Sequence, residues 1–208
     1  GRQQIAAMDM DRYLLKIGAI KLIILICSLA LHEWGHAYVA DKLGDDTPRR
    51  EGRVTLNPLV HIDFIGTILI PAMSIMGVFG NFAMIGWAKP VYTNPANFRR
   101  GYRDQALVTL AGPGMNVGLA ILATAGAIIS AKVGLRVVEL FGFMIGMNIA
   151  LAVFNMLPIP PLDGSKFLMY FGAMREETYV RISMFGSILL LILLNIPLFR
   201  NIVGYLIG

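Results

Sequence analysis

Cysteine is almost absent: Cys27 stands alone among 208 residues. A lone cysteine forms no internal disulfide and no cysteine-based zinc site, and its place in an apolar run reads as a packing thiol. Histidine is nearly as scarce, with three in the chain. Charge is thin as well: 15% of residues are Asp, Glu, Lys or Arg against 56% hydrophobic, and the mean hydropathy is +0.66. So little charge does not cover a soluble domain of this length, and the balance points to an integral membrane protein. The net charge of +5 falls mostly in short segments between apolar runs. Basic residues there anchor topology and meet the lipid bilayer's headgroups, so no nucleic-acid partner is implied. No cleavable signal peptide is evident, because the first apolar segment is long, lacks a clear cleavage site and carries His32, Glu33 and His36.

A membrane-spanning helix needs about 20 mostly apolar residues. Residues 14–42, 64–86, 105–131 and 136–157 qualify, and a further segment, 180–207, is interrupted by Pro197 and Arg200. No repeat or appended soluble domain is visible, so residues 1–208 are expected to form one membrane-embedded domain with its core at 14–175. Two connections, 49–63 and 86–104, mix β-favouring residues with Asn-Pro pairs and are expected to form short interfacial strands or turns. Trp87, Tyr92 and Tyr102 fit an interfacial aromatic belt. The segment 64–86 is dense in breakers (Gly66, Pro71, Gly77, Gly80, Gly86). Broken backbone at membrane depth is tolerated where it is buried in protein or lines a water-filled cavity.

Three ionisable residues lie in the second half of the first span, at His32, Glu33 and His36, in the pattern H-E-x-x-H. Helical residues four apart differ by about 40° in azimuth and one turn in height. Both imidazoles therefore reach one cation, and Glu33 is placed to take a proton from water, the mechanical content of the zinc metalloprotease motif. Inside a membrane such residues are costly and mark function by default. Catalytic zinc usually takes three protein ligands. The extended motif with a third histidine is excluded, because Val39 and Lys42 occupy its glycine and histidine positions. Glu51 lies in a charged loop, and His61 lies beside Asp63 at the interface. Asp163 follows Pro158, Pro160 and Pro161, which must break the helix, and broken helices at membrane depth are where ion sites are built. Asp163 is the preferred third ligand.

These residues resemble the site-2 protease family of intramembrane zinc metalloproteases. "HEWGH" matches its first motif, and "NMLPIPPLDG" matches its N-x-x-P-x-x-x-L-D-G through Asn155, Pro158, Leu162, Asp163 and Gly164. "AGPGMN" is similar to its Gly-Pro-x-x-Asn element, and "GWAKPVYTNP" to the segment after its apolar hairpin. The resemblance covers about residues 20–175 in a minimal form without PDZ or CBS modules. It implies one Zn2+ held by His32, His36 and Asp163, Glu33 as general base, Asn155 as an oxyanion or substrate contact, and Asn116 as a further contact of that kind.

The expected protein is an all-α, multi-pass helical bundle of the cell membrane, with a broken helix at the metal site and short β-like or re-entrant interfacial segments. Its expected reaction is hydrolysis of peptide bonds within or next to the transmembrane segment of a protein substrate. A metal-ion transporter and a non-catalytic protease-derived scaffold are the alternatives. A shared metal also constrains topology. Three full crossings between His36 and Asp163 would leave Asp163 on the wrong side, so either 64–86 is re-entrant, turning near Pro71 or Gly77–Gly80, or "IPPLDG" dips back into the bilayer. The glycines around Asn116, and the pair Gly142 and Gly146, read as helix-packing positions.

Overall fold

The computed structural model describes residues 2–76, 87–135 and 137–195. Seven α-helices follow in chain order among these residues: α1 (Arg2–Leu43), α2 (Thr47–Arg50), α3 (Ile70–Ile75), α4 (Tyr102–Lys132), α5 (Val138–Asn155), α6 (Asp163–Tyr170) and α7 (Glu176–Asn195). Among the described residues, three stretches are long and apolar enough to cross a membrane: Arg12–Leu43, Tyr102–Lys132 and Val138–Asn155. The chain is an all-α membrane protein, and no strand occurs among the described residues. Pro197 and Arg200, the expected interruption of the last apolar segment, lie outside the described residues.

The buried stripe of α1 runs through Leu25, Leu29, His32, His36 and Ala40, at helical spacing. The metal-binding pattern is thus the continuation of the packing face. Against it lies α4, close enough that a Cβ on Gly35 would come within 2.6 Å of the Met115 side chain and 2.9 Å of the Ala111 carbonyl. Helix α5 packs on α4, and its Met147 and Leu151 join Leu25, Leu29 and Ala88 in an apolar cluster.

Several expectations change here. Of the strands or turns expected at the two Asn-Pro pairs, the structure has the turns. Asn57 and Asn94 accept from the N–H groups of Leu59 and Ala96, opening single 3-10 turns at Pro58–Val60 and Pro95–Asn97. Proline fits such a first position because it has no N–H to leave unsatisfied. Tyr92 and Tyr102 are exposed, whereas the Trp87 ring lies on Gly66, where a Cβ would meet it at 2.4 Å. Among the described residues, a Cβ on Gly114, Gly118, Gly142 or Gly146 would meet nothing within 4 Å, so these glycines make no close approach there. Cys27 faces outward rather than into the core.

The segment that follows His61 leaves and returns at one place. It begins as a single π-helical stretch, Phe64–Leu69, and continues into α3. Residues 77–86 lie outside the described residues. The chain reappears with Trp87 N–H on the Gly66 carbonyl, at 3.2 Å, and Lys89 N–H on the His61 carbonyl, at 2.9 Å. The ends of the segment are therefore side by side, as a re-entrant path requires. From there α4 runs away and α5 packs back along it, so Asp163 arrives beside His36.

Asp45 fastens the loops at this end. Its carboxylate accepts from Thr47 Oγ1 and N, Asn94 N and Asn97 Nδ2. Burial alone would raise its pKa, but these bonds outweigh it and hold the carboxyl below the usual range.

Candidate metal centre

Helix α5 ends at Asn155, and the proline-rich stretch turns the chain so that Asp163 opens α6. Gly164 makes the turn possible. A Cβ there would stand 2.1 Å from the Met156 carbonyl oxygen and 2.8 Å from that of Leu157. The carboxylate is thereby delivered to the two histidines of α1. Asp163 Oδ2 lies 3.1 Å from His32 Nε2 and 3.0 Å from His36 Nε2, and the two Nε2 atoms are 3.1 Å apart. All three residues are buried.

Each imidazole is oriented from behind. His36 Nδ1 donates to the Val108 carbonyl at 2.7 Å, and His32 Nδ1 donates to Asn116 Oδ1 at 2.6 Å. A carbonyl only accepts, so His36 carries its proton on Nδ1. Asn116 Nδ2 donates to Asn148 Oδ1 at 2.9 Å, which makes Asn116 Oδ1 the acceptor and gives His32 the same tautomer. Both Nε2 atoms then present lone pairs to each other and to a carboxylate, an arrangement that repels itself unless a cation lies between them. Tetrahedral zinc with bonds of about 2.0–2.1 Å sets its ligand atoms about 3.3 Å apart, close to the distances found. Gly112 leaves room: a Cβ there would lie 2.3 Å from His36 Nε2 and 2.6 Å from His32 Nε2. The other carboxylate oxygen, Asp163 Oδ1, accepts from Lys166 Nζ at 2.8 Å, which leaves Oδ2 for the metal. The residues fit a zinc ion.

Residues 129–194 match peptidase family M50. Three relatives carry the description "Putative zinc metalloprotease". YwhC of Bacillus subtilis is 37% identical over 170 residues, covering 76% of this chain and 73% of the relative. Rip2 of Mycolicibacterium smegmatis is 31% identical over 169 residues, covering 76% and 60%. Rip2 of Mycobacterium tuberculosis is 29% identical over 184 residues, covering 88% and 68%. No solved structure matches. The chain belongs to peptidase family M50. It is a member of the site-2 protease family and a zinc metalloprotease, and its His-His-Asp cluster suits a single zinc ion.

The other sequence-derived residues of this M50 chain fall as follows. Glu33, half-buried, accepts at Oε2 from the Val91 N–H at 2.9 Å. Asn155 Nδ2 donates to the Leu151 carbonyl at the end of α5. Asn116 is committed at both ends of its carboxamide, which suits it to hold His32 rather than to touch substrate. Glu51 is exposed on its loop and stays outside the cluster, as does His61. His61 Nε2–H donates to the Thr55 carbonyl, and burial together with the nearby Arg53 charge outweighs that bond and pushes its pKa down.

Sequence reasoning missed Asn148. It is buried in α5, ties Asn116 to the Met144 carbonyl, and so extends the support of His32 across three helices. Its one signal was an amide in an otherwise apolar helix. Partners behind a metal-bound histidine typically govern about 10–100-fold in metal affinity. Asn116→Ala should weaken zinc binding by about that range in competition with a chromogenic chelator, with a smaller loss for Asn148→Ala. Unaltered affinity in Asn116→Ala would remove the orienting role.

Proposed function

We propose that this M50 zinc metalloprotease is a multi-pass protein of the cell membrane that cleaves peptide bonds within or next to membrane-spanning segments of other proteins. What supports the reading is that His32 and His36 of the cluster stand on a helix stretch, Arg12–Leu43, long and apolar enough to cross a membrane. His32 stands 11 residues before the end of α1, about 16 Å along a helix at 1.5 Å per residue, a distance of about half a 30 Å hydrocarbon core.

His32, His36 and Asp163 would hold zinc, which when bound would supply Lewis acidity to acidify water and polarise a carbonyl. The protein residues do the rest. Glu33 takes the proton from water and returns one to the leaving amine. Asn155 has a second amide N–H beyond the one on Leu151, and that donor is assigned to the developing oxyanion. Substrate helices hide their amides in internal hydrogen bonds, so Gly or Pro in the target eases the local unwinding that attack needs. The connection at 86–96 is assigned to holding the unwound substrate by strand addition. With the N–H groups of Trp87, Lys89 and Val91 turned toward the body of the protein, substrate takes the opposite edge. Ion transport is less well supported, since transporters usually pair two broken helices in repeated halves.

The test is cleavage in proteoliposomes of a single-span substrate carrying a central Gly-Pro. Mass spectrometry should place the cut inside or beside the span, and chelation should abolish it. Cuts confined to soluble loops would reject the reading.

A further inference from the structure

The connection Trp87–Val91 is fixed more firmly than an irregular segment needs to be. Its N–H groups at 87, 89 and 91 all turn to the protein body, the alternation of an extended chain. They meet the Gly66 carbonyl, the His61 carbonyl and Glu33 Oε2. The Trp87 carbonyl accepts from Thr67 Oγ1 at 2.7 Å, and the Lys89 carbonyl accepts from Arg53. Between them Ala88 is buried against Leu25 and Leu29 of α1.

Arg53 is the unusual member of this set. It is 4% exposed, yet its guanidinium has no carboxylate partner among the described residues and serves the carbonyls of Val60 and Lys89 instead. Its Nε is buried with no hydrogen-bond partner among the described residues. A buried cation without a counter-ion is expensive, and what it does here is pin the end of the segment to the turn before His61. These contacts of Arg53, His61, Gly66 and Thr67 with Trp87 and Lys89 fix where the next backbone N–H falls. That N–H is on Val91, and it falls on the residue beside the metal ligands.

We propose that the backbone N–H of Val91 is a positioning group for catalysis, holding the Glu33 carboxylate by Oε2 in one rotamer so that Oε1 faces the attacking water. Glu33 Oε1 has no partner among the described residues, which leaves one oxygen anchored and one free. A long side chain with several rotamers becomes a preorganised base at the cost of a single hydrogen bond. This inference rests on Glu33 acting as the base. Misplacing a reacting group by about 1 Å costs on the order of 100-fold in rate, which sets the scale of the effect.

The decisive variant is an amide-to-ester replacement at Val91, which exchanges the N–H for oxygen and alters no side chain. Val91→Pro removes the same N–H genetically, and Val91→Ala retains it. Cleavage of the single-span substrate is measured beside bound zinc. The ester and Val91→Pro should lower kcat by about 10–100-fold, with KM within about threefold and zinc still at one per chain. Val91→Ala should keep at least about tenfold more turnover than Val91→Pro, because its N–H remains. The proposal is overturned if the ester turns over within about twofold of the parent, or if KM rises while kcat holds, since the N–H would then serve substrate. Loss of zinc from the ester would overturn it too, by making the bond part of the metal site's structure. Glu33→Gln is run alongside. An active Glu33→Gln protein would reject the base itself, whereas an inactive one beside an active ester would reject the positioning role alone.

Discussion

Glu33→Gln should retain one zinc per chain and lose turnover by about 10²–10⁴-fold, the range for removal of a general base. The substitution changes little else. Glutamine keeps the length of the side chain and still offers an oxygen to the Val91 N–H, which Glu33 Oε2 meets at 2.9 Å. Metal retention follows from the cluster, because the three converging atoms come from His32, His36 and Asp163. What disappears is the ability to accept a proton at neutral pH. Zinc stoichiometry by elemental analysis, beside initial cleavage rates in proteoliposomes, reads both halves. Substantial retained turnover would reject Glu33 as the base. Loss of zinc would mean that the carboxylate supports the metal site.

The metal centre was legible because metal chemistry imposes spacing. Two imidazoles four apart on a helix share a face, and a carboxylate after a proline-broken helix has few other reasons to lie at that depth. The resemblance to the site-2 protease motifs was carried by the same residues. What could not be read is what stands behind them. Val108 acts through its carbonyl, and a carbonyl leaves no mark in a sequence. Asn148 is one amide in an apolar helix, and only its neighbour across the α4–α5 contact gives it a role. Of the strands or turns expected at 49–63 and 86–104, the turns formed, for a local reason. Asparagine before proline caps a turn with its own side chain, and that option outcompeted pairing. The topology was half legible: the need for an even number of crossings came from the shared metal, and the hydrogen bonds joining 61 to 89 and 66 to 87 show how the chain meets it.

Gly112→Ala should weaken zinc binding by about 100-fold or more while leaving the helix intact or slightly firmer. Glycine in mid-helix costs about 1 kcal/mol relative to alanine, so α4 itself gains from the change. The cost falls at the metal. The added methyl would stand 2.3 Å from His36 Nε2 and 2.6 Å from His32 Nε2, between the lone pairs that bind the ion. The rings are not free to retreat, because His36 Nδ1 is held by the Val108 carbonyl and His32 Nδ1 by Asn116. Moving either ring breaks a buried hydrogen bond and leaves its partner unsatisfied, a penalty of about 1–3 kcal/mol. Zinc affinity should therefore fall by at least about 100-fold, since about 1.4 kcal/mol is a factor of ten and steric exclusion adds to the lost bond. Gly114→Ala is the matched control: two residues along the same helix, a Cβ meets nothing within 4 Å, so zinc stoichiometry and cleavage should stay at the parent level. Parent-level zinc affinity in Gly112→Ala would place the ion outside the space between the two imidazoles. The glycine of "AGPGMN" would then return to the packing role its sequence first suggested.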